Sequence, residues 1–188
     1  MPEPTPPQTV GPFFHPCLLR LARTVLAGPE AEGERIRLEG RVLDGDGAPV
    51  DDAMVELWQA DSFGRFRHPL DDREGPRDAG FLGFGRTGTD AEGRFAFDTV
   101  KPGRVPWPGG GWQAPHVCLH VFARGLLDRL TTRCYFEDDP ATAEDPLLRL
   151  VPEERRPTLI ARRAAGPGAA YRFDIVLQGE RETVFFDL

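Results

Sequence analysis

The chain has 188 residues, enough for one domain with a proper buried core and no need of a covalent staple. A formal charge of −7 at pH 7 argues against a nucleic-acid or anionic-membrane partner, since either requires a basic face. The 21 glycines, 19 prolines and 13 phenylalanines suit short strands joined by many turns rather than a helical fold.

Met1–Pro16 carries six prolines (Pro2, Pro4, Pro6, Pro7, Pro12 and Pro16), too many for a helix or a central strand. Residues 1–16 therefore read as an extended N-terminal arm, and 17–188 as the folded domain. A proline-rich end can simply fray, but Val10, Phe13 and Phe14 are apolar anchors that favour a docked arm. Arg35–Leu43 alternates strictly, with Ile36, Leu38, Gly40 and Val42 on one face, which predicts a half-buried strand. Asp44-Gly45-Asp46-Gly47 reads as a turn, because the later ligands and flanking helices of a calcium loop are absent. Ala53–Gln59 predicts the next strand, and Asp61–Gly80 a long polar surface excursion.

Gly85–Asp90, a turn at Asp90–Gly93, and Arg94–Val100 with Phe95 and Phe97 on one face form a β-hairpin signal. Pro115–Arg124 and Thr131–Phe136 follow as strands around a glycine-centred loop. Glu137–Pro146 is acidic and turn-rich, and Pro152–Arg163 begins with a sequence suited to a first helical turn. Tyr171–Leu177 and Thr183–Phe186 complete a set of seven or eight short strands. That pattern predicts an all-β fold, a β-sandwich with long loops and little helix. No apolar run is long enough to span a bilayer, and Met1–Gln8 lacks a charged-then-apolar leader pattern. Cys17, Cys118 and Cys134 are odd in number and scattered, which suits reduced thiols in the cytoplasm.

His116, Cys118 and His120 fall at strand spacing and share one face. Adjacent members, about 6–7 Å apart, could reach one metal ion, whereas the outer pair at about 13 Å could not. The strand thus offers two ligands at best, and a buried cysteine among core side chains is also ordinary packing. The only tyrosines, Tyr135 and Tyr171, sit in strand-like settings where a phenol packs with its hydroxyl bonded.

Phe84–Gly103 (FGRTGTDAEGRFAFDTVKPG), followed by Val105-Pro106-Trp107 and Ala114-Pro115-His116-Val117-Cys118, resembles the intradiol ring-cleaving dioxygenases. In that family a β-sandwich holds a ferric ion between two tyrosines and two histidines. Only His116 matches this set. Cys118 stands where the second histidine is expected, Val105 and Arg73 where the tyrosines are, and Gln113 where an arginine is.

The blocks TPPQTVGPFF, ELWQAD, GRTGTD, TVKPG, APHV, VFARGLL, TRCYFED, AYRFDIVLQG and ETVFFD resemble a subunit of the family that lost its iron while a sister kept it. The resemblance implies an alpha–beta hetero-oligomer of two similar sandwiches about a pseudo-twofold axis. Fe(III) is then held by the homologous beta subunit, with none on this chain and no catalytic residue on this chain alone. The implied reaction opens a small aromatic acid, a carboxylated catechol, with O2 to give a carboxy-cis,cis-muconate. Thr9, Gly11 and Pro12 match an arm segment that lines the sister's substrate pocket, and Arg133 matches an arginine directed toward it. A merely docked arm and a structural ion pair are the competing readings of those residues. Two further classes stand beside this one: a self-contained metalloenzyme using His116 and Cys118, and a non-enzymatic, transthyretin-like binding sandwich.

Overall fold

The computed structural model describes residues 6–11, 13–166 and 168–187. Strand β1 spans Arg35–Leu43, and the alternation read from the sequence appears as burial of Ile36, Leu38, Gly40 and Val42 between outward arginines. Its residues Arg35–Arg41 pair with antiparallel β4, Arg94–Val100. The turn leading into β4 is built by Asp90, whose carboxylate accepts from the amides of Glu92 and Arg94 at 3.0 and 2.8 Å. Asp44 does the same in the DGDG segment, accepting from Asp46 and Ala48 at 3.0 and 2.8 Å, as a turn requires.

The second wall comprises β2 (Met54–Trp58), β3 (Phe84–Gly88), β7 (His116–Phe122) and β8 (Leu130–Phe136), in the order β3-β2-β7-β8. Strand β9, Ile160–Arg163, joins the walls by pairing parallel with β8 and antiparallel with β10, Ala169–Arg172. Between the walls pack Leu38, Val42, Phe97 and Tyr171 from one side and Val55, Leu57, Val117 and Leu119 from the other, all buried. Each large aliphatic or aromatic group so buried contributes about 1.5–3 kcal/mol. The result is the all-β sandwich expected of the sequence, with long loops and little helix.

Four local expectations are corrected. The run Tyr171–Leu177 is not one strand: β10 ends at Arg172 and β11, Ile175–Val176, resumes beside β1. The break falls where Phe173 crosses Gly40, so closely that a Cβ on Gly40 would lie 1.8 Å from the Phe173 carbonyl oxygen. Thr183–Phe186 forms no strand; its amides bond singly, Thr183 to Val176 and Phe186 to Thr131. Pro152–Arg163 divides into a 3-10 turn, Glu153–Leu159, and β9. The arm does not stay extended through residue 16, because Phe14–Leu18 forms a short helix, α1. Pro16 is its third residue, where the missing N–H would have no intrahelical partner anyway. A ribbon of β5 (Val105–Pro106) and β6 (Trp112–Gln113) was hidden by its own prolines and glycines. Among the described residues no helix is long and apolar enough to cross a membrane.

Candidate functional site

Strand pleating divides β7 in two. Val117, Leu119 and Val121 enter the core, which leaves His116, Cys118 and His120 on the outer face of the sheet. Register then sets cross-strand rows. Trp58, Cys118 and Arg133 lie abreast, as do Glu56, His120 and Thr131, and His116 faces Tyr135. The His120 row is a polar stripe, with Arg86 donating to Glu56 from Nε at 2.7 Å and His120 Nδ1 3.0 Å from Thr131 Oγ1.

At the His116 end of this face lies a pocket of about 590 Å³, lined by Trp58, Phe66, His68, Leu70, Asp71, Arg73, Val105, Pro106 and Gln113. Trp58 and Phe66 stack at 5.8 Å with planes 5° apart. Arg73, Val105 and Gln113, far apart in sequence, thus meet on one wall. These are the positions where the family resemblance expects two tyrosines and an arginine. The excursion Asp61–Gly80, read as surface loop, supplies half the lining.

The donor set does not fit ferric iron. That hard cation needs anionic oxygen donors, and where the two tyrosines are expected the chain presents the isopropyl group of Val105 and the guanidinium of Arg73. Both tyrosines are committed elsewhere as phenols: Tyr135 donates to Asp145 Oδ1 at 2.9 Å, and Tyr171 donates to Asp138 Oδ2 at 2.8 Å. Burial pushes both hydroxyls above the usual phenol range. His116 Nδ1–H donates to the Ala114 carbonyl at 2.8 Å. Its basicity falls to about 4, through burial first and the Arg133 charge second. Burial likewise raises the Cys118 thiol, and Arg133 opposes that shift. Among the described residues no group of three or more His, Cys, Asp or Glu side chains is placed to hold an ion.

Behind this pocket, Asp145 organises the strand start. Its fully buried carboxylate accepts from the Ala114 amide at 2.8 Å, the Tyr135 hydroxyl at 2.9 Å, and the Leu147 and Leu148 amides at 3.0 and 2.9 Å. Nothing in the spacing of EDPLL announced this role.

Thr9 and Arg133, both expected at the sister's pocket, contact different elements of this chain. Arg133 turns toward its own pocket wall, donating from Nη1 to Gln113 Oε1 at 2.6 Å, with a buried Nε that has no partner among the described residues. Thr9 lies beyond the other end of β7, where its hydroxyl accepts from the Gly125 amide at 2.9 Å. The Gln8 amide donates to Leu127 O at 3.1 Å, and Phe14 meets Phe122 at 5.9 Å. Thr9 and Gly11 are exposed there, while Pro12 lies outside the described residues. Arg124, next to Gly125 in the chain, has its side chain 76% exposed and paired to Asp52. Sequence reading passed over it, although it sits inside the block VFARGLL.

The family model described as Dioxygenase matches residues 11–179. The chain belongs to this family, the intradiol ring-cleaving dioxygenases. It is 48% identical to the protocatechuate 3,4-dioxygenase alpha chain of Burkholderia cepacia over 98% of this chain and 97% of that one. It is 43% identical to the Pseudomonas putida alpha chain over 100% and 97%. The Burkholderia cepacia beta chain is 40% identical over 94% of this chain and 76% of its own length. Among solved structures, the dioxygenase domain of a carbohydrate-binding fusion protein from Streptomyces sp. SirexAA-E superposes with a TM-score of 0.62 at 30% identity, covering 94% of this chain and 99% of that one.

Proposed function

We propose that this chain is the alpha subunit, without iron ligands, of a protocatechuate 3,4-dioxygenase. Near-full-length identity to two alpha chains supports the reading. The observation that carries it is the pocket that gathers Arg73, Val105 and Gln113, where the family resemblance expects two tyrosines and an arginine. Ring opening between the two hydroxyl-bearing carbons, yielding 3-carboxy-cis,cis-muconate, is assigned to a ferric centre on a homologous beta subunit. The 40% identity to a beta chain fits two similar sandwiches joined as an alpha–beta protomer, in the cytoplasm.

This chain's contribution is its exposed arm face. Gly11, where an added Cβ would meet nothing within 4 Å, permits close backbone approach, and Thr9 keeps a hydroxyl proton for donation. Arg124, next in the chain to the Gly125 that bonds Thr9, adds positive charge suited to a carboxylated catecholate. Arg133 bonds Gln113 on this chain. A self-contained metal site on His116 and Cys118 finds no third donor among the described residues.

Co-expression with a beta chain tests the proposal. An equimolar complex that holds iron and forms 3-carboxy-cis,cis-muconate is expected, while the chain purified alone binds no stoichiometric iron and cleaves no catechol. A tyrosinate-to-iron charge-transfer band from this chain alone would overturn it.

A further inference from the structure

Where the family's ferric site would lie, the chain does not close its interior. It keeps a cavity of about 590 Å³, within the range that takes small organic ligands. One wall is aromatic, formed by stacked Trp58 and Phe66 with His68 edge-on to Trp58 at 6.3 Å. Val105 and Pro106 form another wall, and Leu70, 85% exposed, stands at the rim. A flat ring would gain burial on both faces.

The polar groups are few and directional. Arg73 commits Nε and Nη2 to Asp71 at 2.8 and 2.6 Å, and Nη2 again to Gly64 O at 2.7 Å. Its Nη1 has no partner among the described residues, so two N–H groups remain for a ligand. Asp71 in turn is shared with Arg65 at 3.3 Å, and Asp61 gives its oxygens to the amides of Phe63, Arg65 and Asp78. The local carboxylates are thus saturated while a guanidinium edge is not. His68 Nδ1 accepts from the Leu70 amide at 3.2 Å, which places the ring proton on Nε2 as a second donor at the mouth. Gln113 is held rigid between Pro106 O and Arg133.

We propose that this pocket binds a single-ring aromatic carboxylate and does not cleave it. The ring lies between the Trp58–Phe66 wall and Val105–Pro106, and the carboxylate meets Arg73 Nη1 and His68 Nε2. The pocket lacks the oxygen donors that ring opening requires, so the ligand leaves unchanged. The site is built entirely from this chain's own residues. It rests on the proposed alpha–beta reading only in that the sister's substrate class supplies the ligand.

The test uses the alpha–beta complex and 4-hydroxybenzoate, which lacks the second hydroxyl and is not cleaved. Equilibrium dialysis counts all bound ligand, and the visible ferric band reports occupancy of the iron site alone. One additional, spectroscopically silent site per alpha–beta pair is expected. Arg73→Gln should weaken that site by about tenfold or more. Leu70→Glu, at an exposed rim position that cannot upset the core, should weaken it by like-charge repulsion. Both variants should leave the ferric titration and turnover unchanged. Bound ligand equal to iron content, or silent binding that survives both variants, overturns the proposal. Failure of the complex or of its ferric band speaks against the subunit reading instead, while dialysis still counts the pocket on this chain.

Discussion

Replacing Asp145 by alanine should be among the most damaging single changes outside the aliphatic core. The carboxylate is fully buried and serves four donors: three backbone amides and the Tyr135 hydroxyl, at 2.8–3.0 Å. A hydrogen bond to a charged acceptor contributes about 1.5–3 kcal/mol, and water entering the vacated space would offset part of four such losses. The net cost should be about 4–6 kcal/mol. For a domain of this size each kcal/mol moves Tm by about 2–4 °C, so a fall of about 10–20 °C is expected. Asp145→Asn should cost about half as much, because a carbonyl can still serve the Oδ1 partners while the amide confronts the Ala114 N–H. Tyr135→Phe removes one donor and should cost about 1 kcal/mol. Scanning calorimetry of the alpha–beta complex, following the transition that shifts with the variant, gives the order Ala, Asn, Phe. A shift below about 3 °C for Asp145→Ala, or an Asn variant as damaged as Ala, would refute the account of Asp145 as the anchor of the His116 strand.

The basicity of His116 is held down to about 4 from an ordinary 6.5, so its contribution is complete above about pH 6.5 and is lost as pH falls toward 4. About 3 kcal/mol is at stake over that window, and His116→Phe should flatten this part of an acid-denaturation curve. Gly40→Ala places a methyl against the Phe173 carbonyl and should cost about 3 kcal/mol or prevent folding, read as Tm and soluble yield. Arg124→Ala should lower kcat/KM for protocatechuate by up to about tenfold, and more than for neutral catechol, with Tm nearly unchanged. Arg133→Leu should do the opposite, costing about 1–3 kcal/mol by unpairing Gln113 while leaving that substrate preference intact. Equal kinetic losses for both substrates in Arg124→Ala would remove it from the substrate-facing surface.

Strands with one buried face were legible because period-two alternation records burial directly: β1 and β4 run over the residues that the pattern marks. Tertiary contacts decided the rest. The β10–β11 break depends on Phe173 meeting Gly40, a crossing between residues remote in sequence, and α1 depends on Phe14 finding Phe122. At the site, the substitutions at 73, 105, 113 and 118 could be read from the chain, and the pocket brings the first three together as the resemblance required. Arg133 could not be placed that way. Its neighbours in TTRCYF do not say that the side chain bonds Gln113 of β6, twenty residues earlier in the chain.

The position of β1 has a consequence for the chain during synthesis. Its two flanks are β4 and the pair β10 and β11, so the strand nearest the start of the domain waits for the one nearest its end. At about 5–20 residues per second, Leu43 emerges about 7–27 seconds before Val176 can pair with it. Until then one edge of β1 is open, and β2, β3, β7 and β8 can form a wall with no second wall to cover it. Such long-range, partly parallel closure is slow and exposes sticky edges. Truncation before Ala169 should therefore leave an aggregating nascent chain rather than a smaller stable domain, and expression should favour slow translation and low temperature.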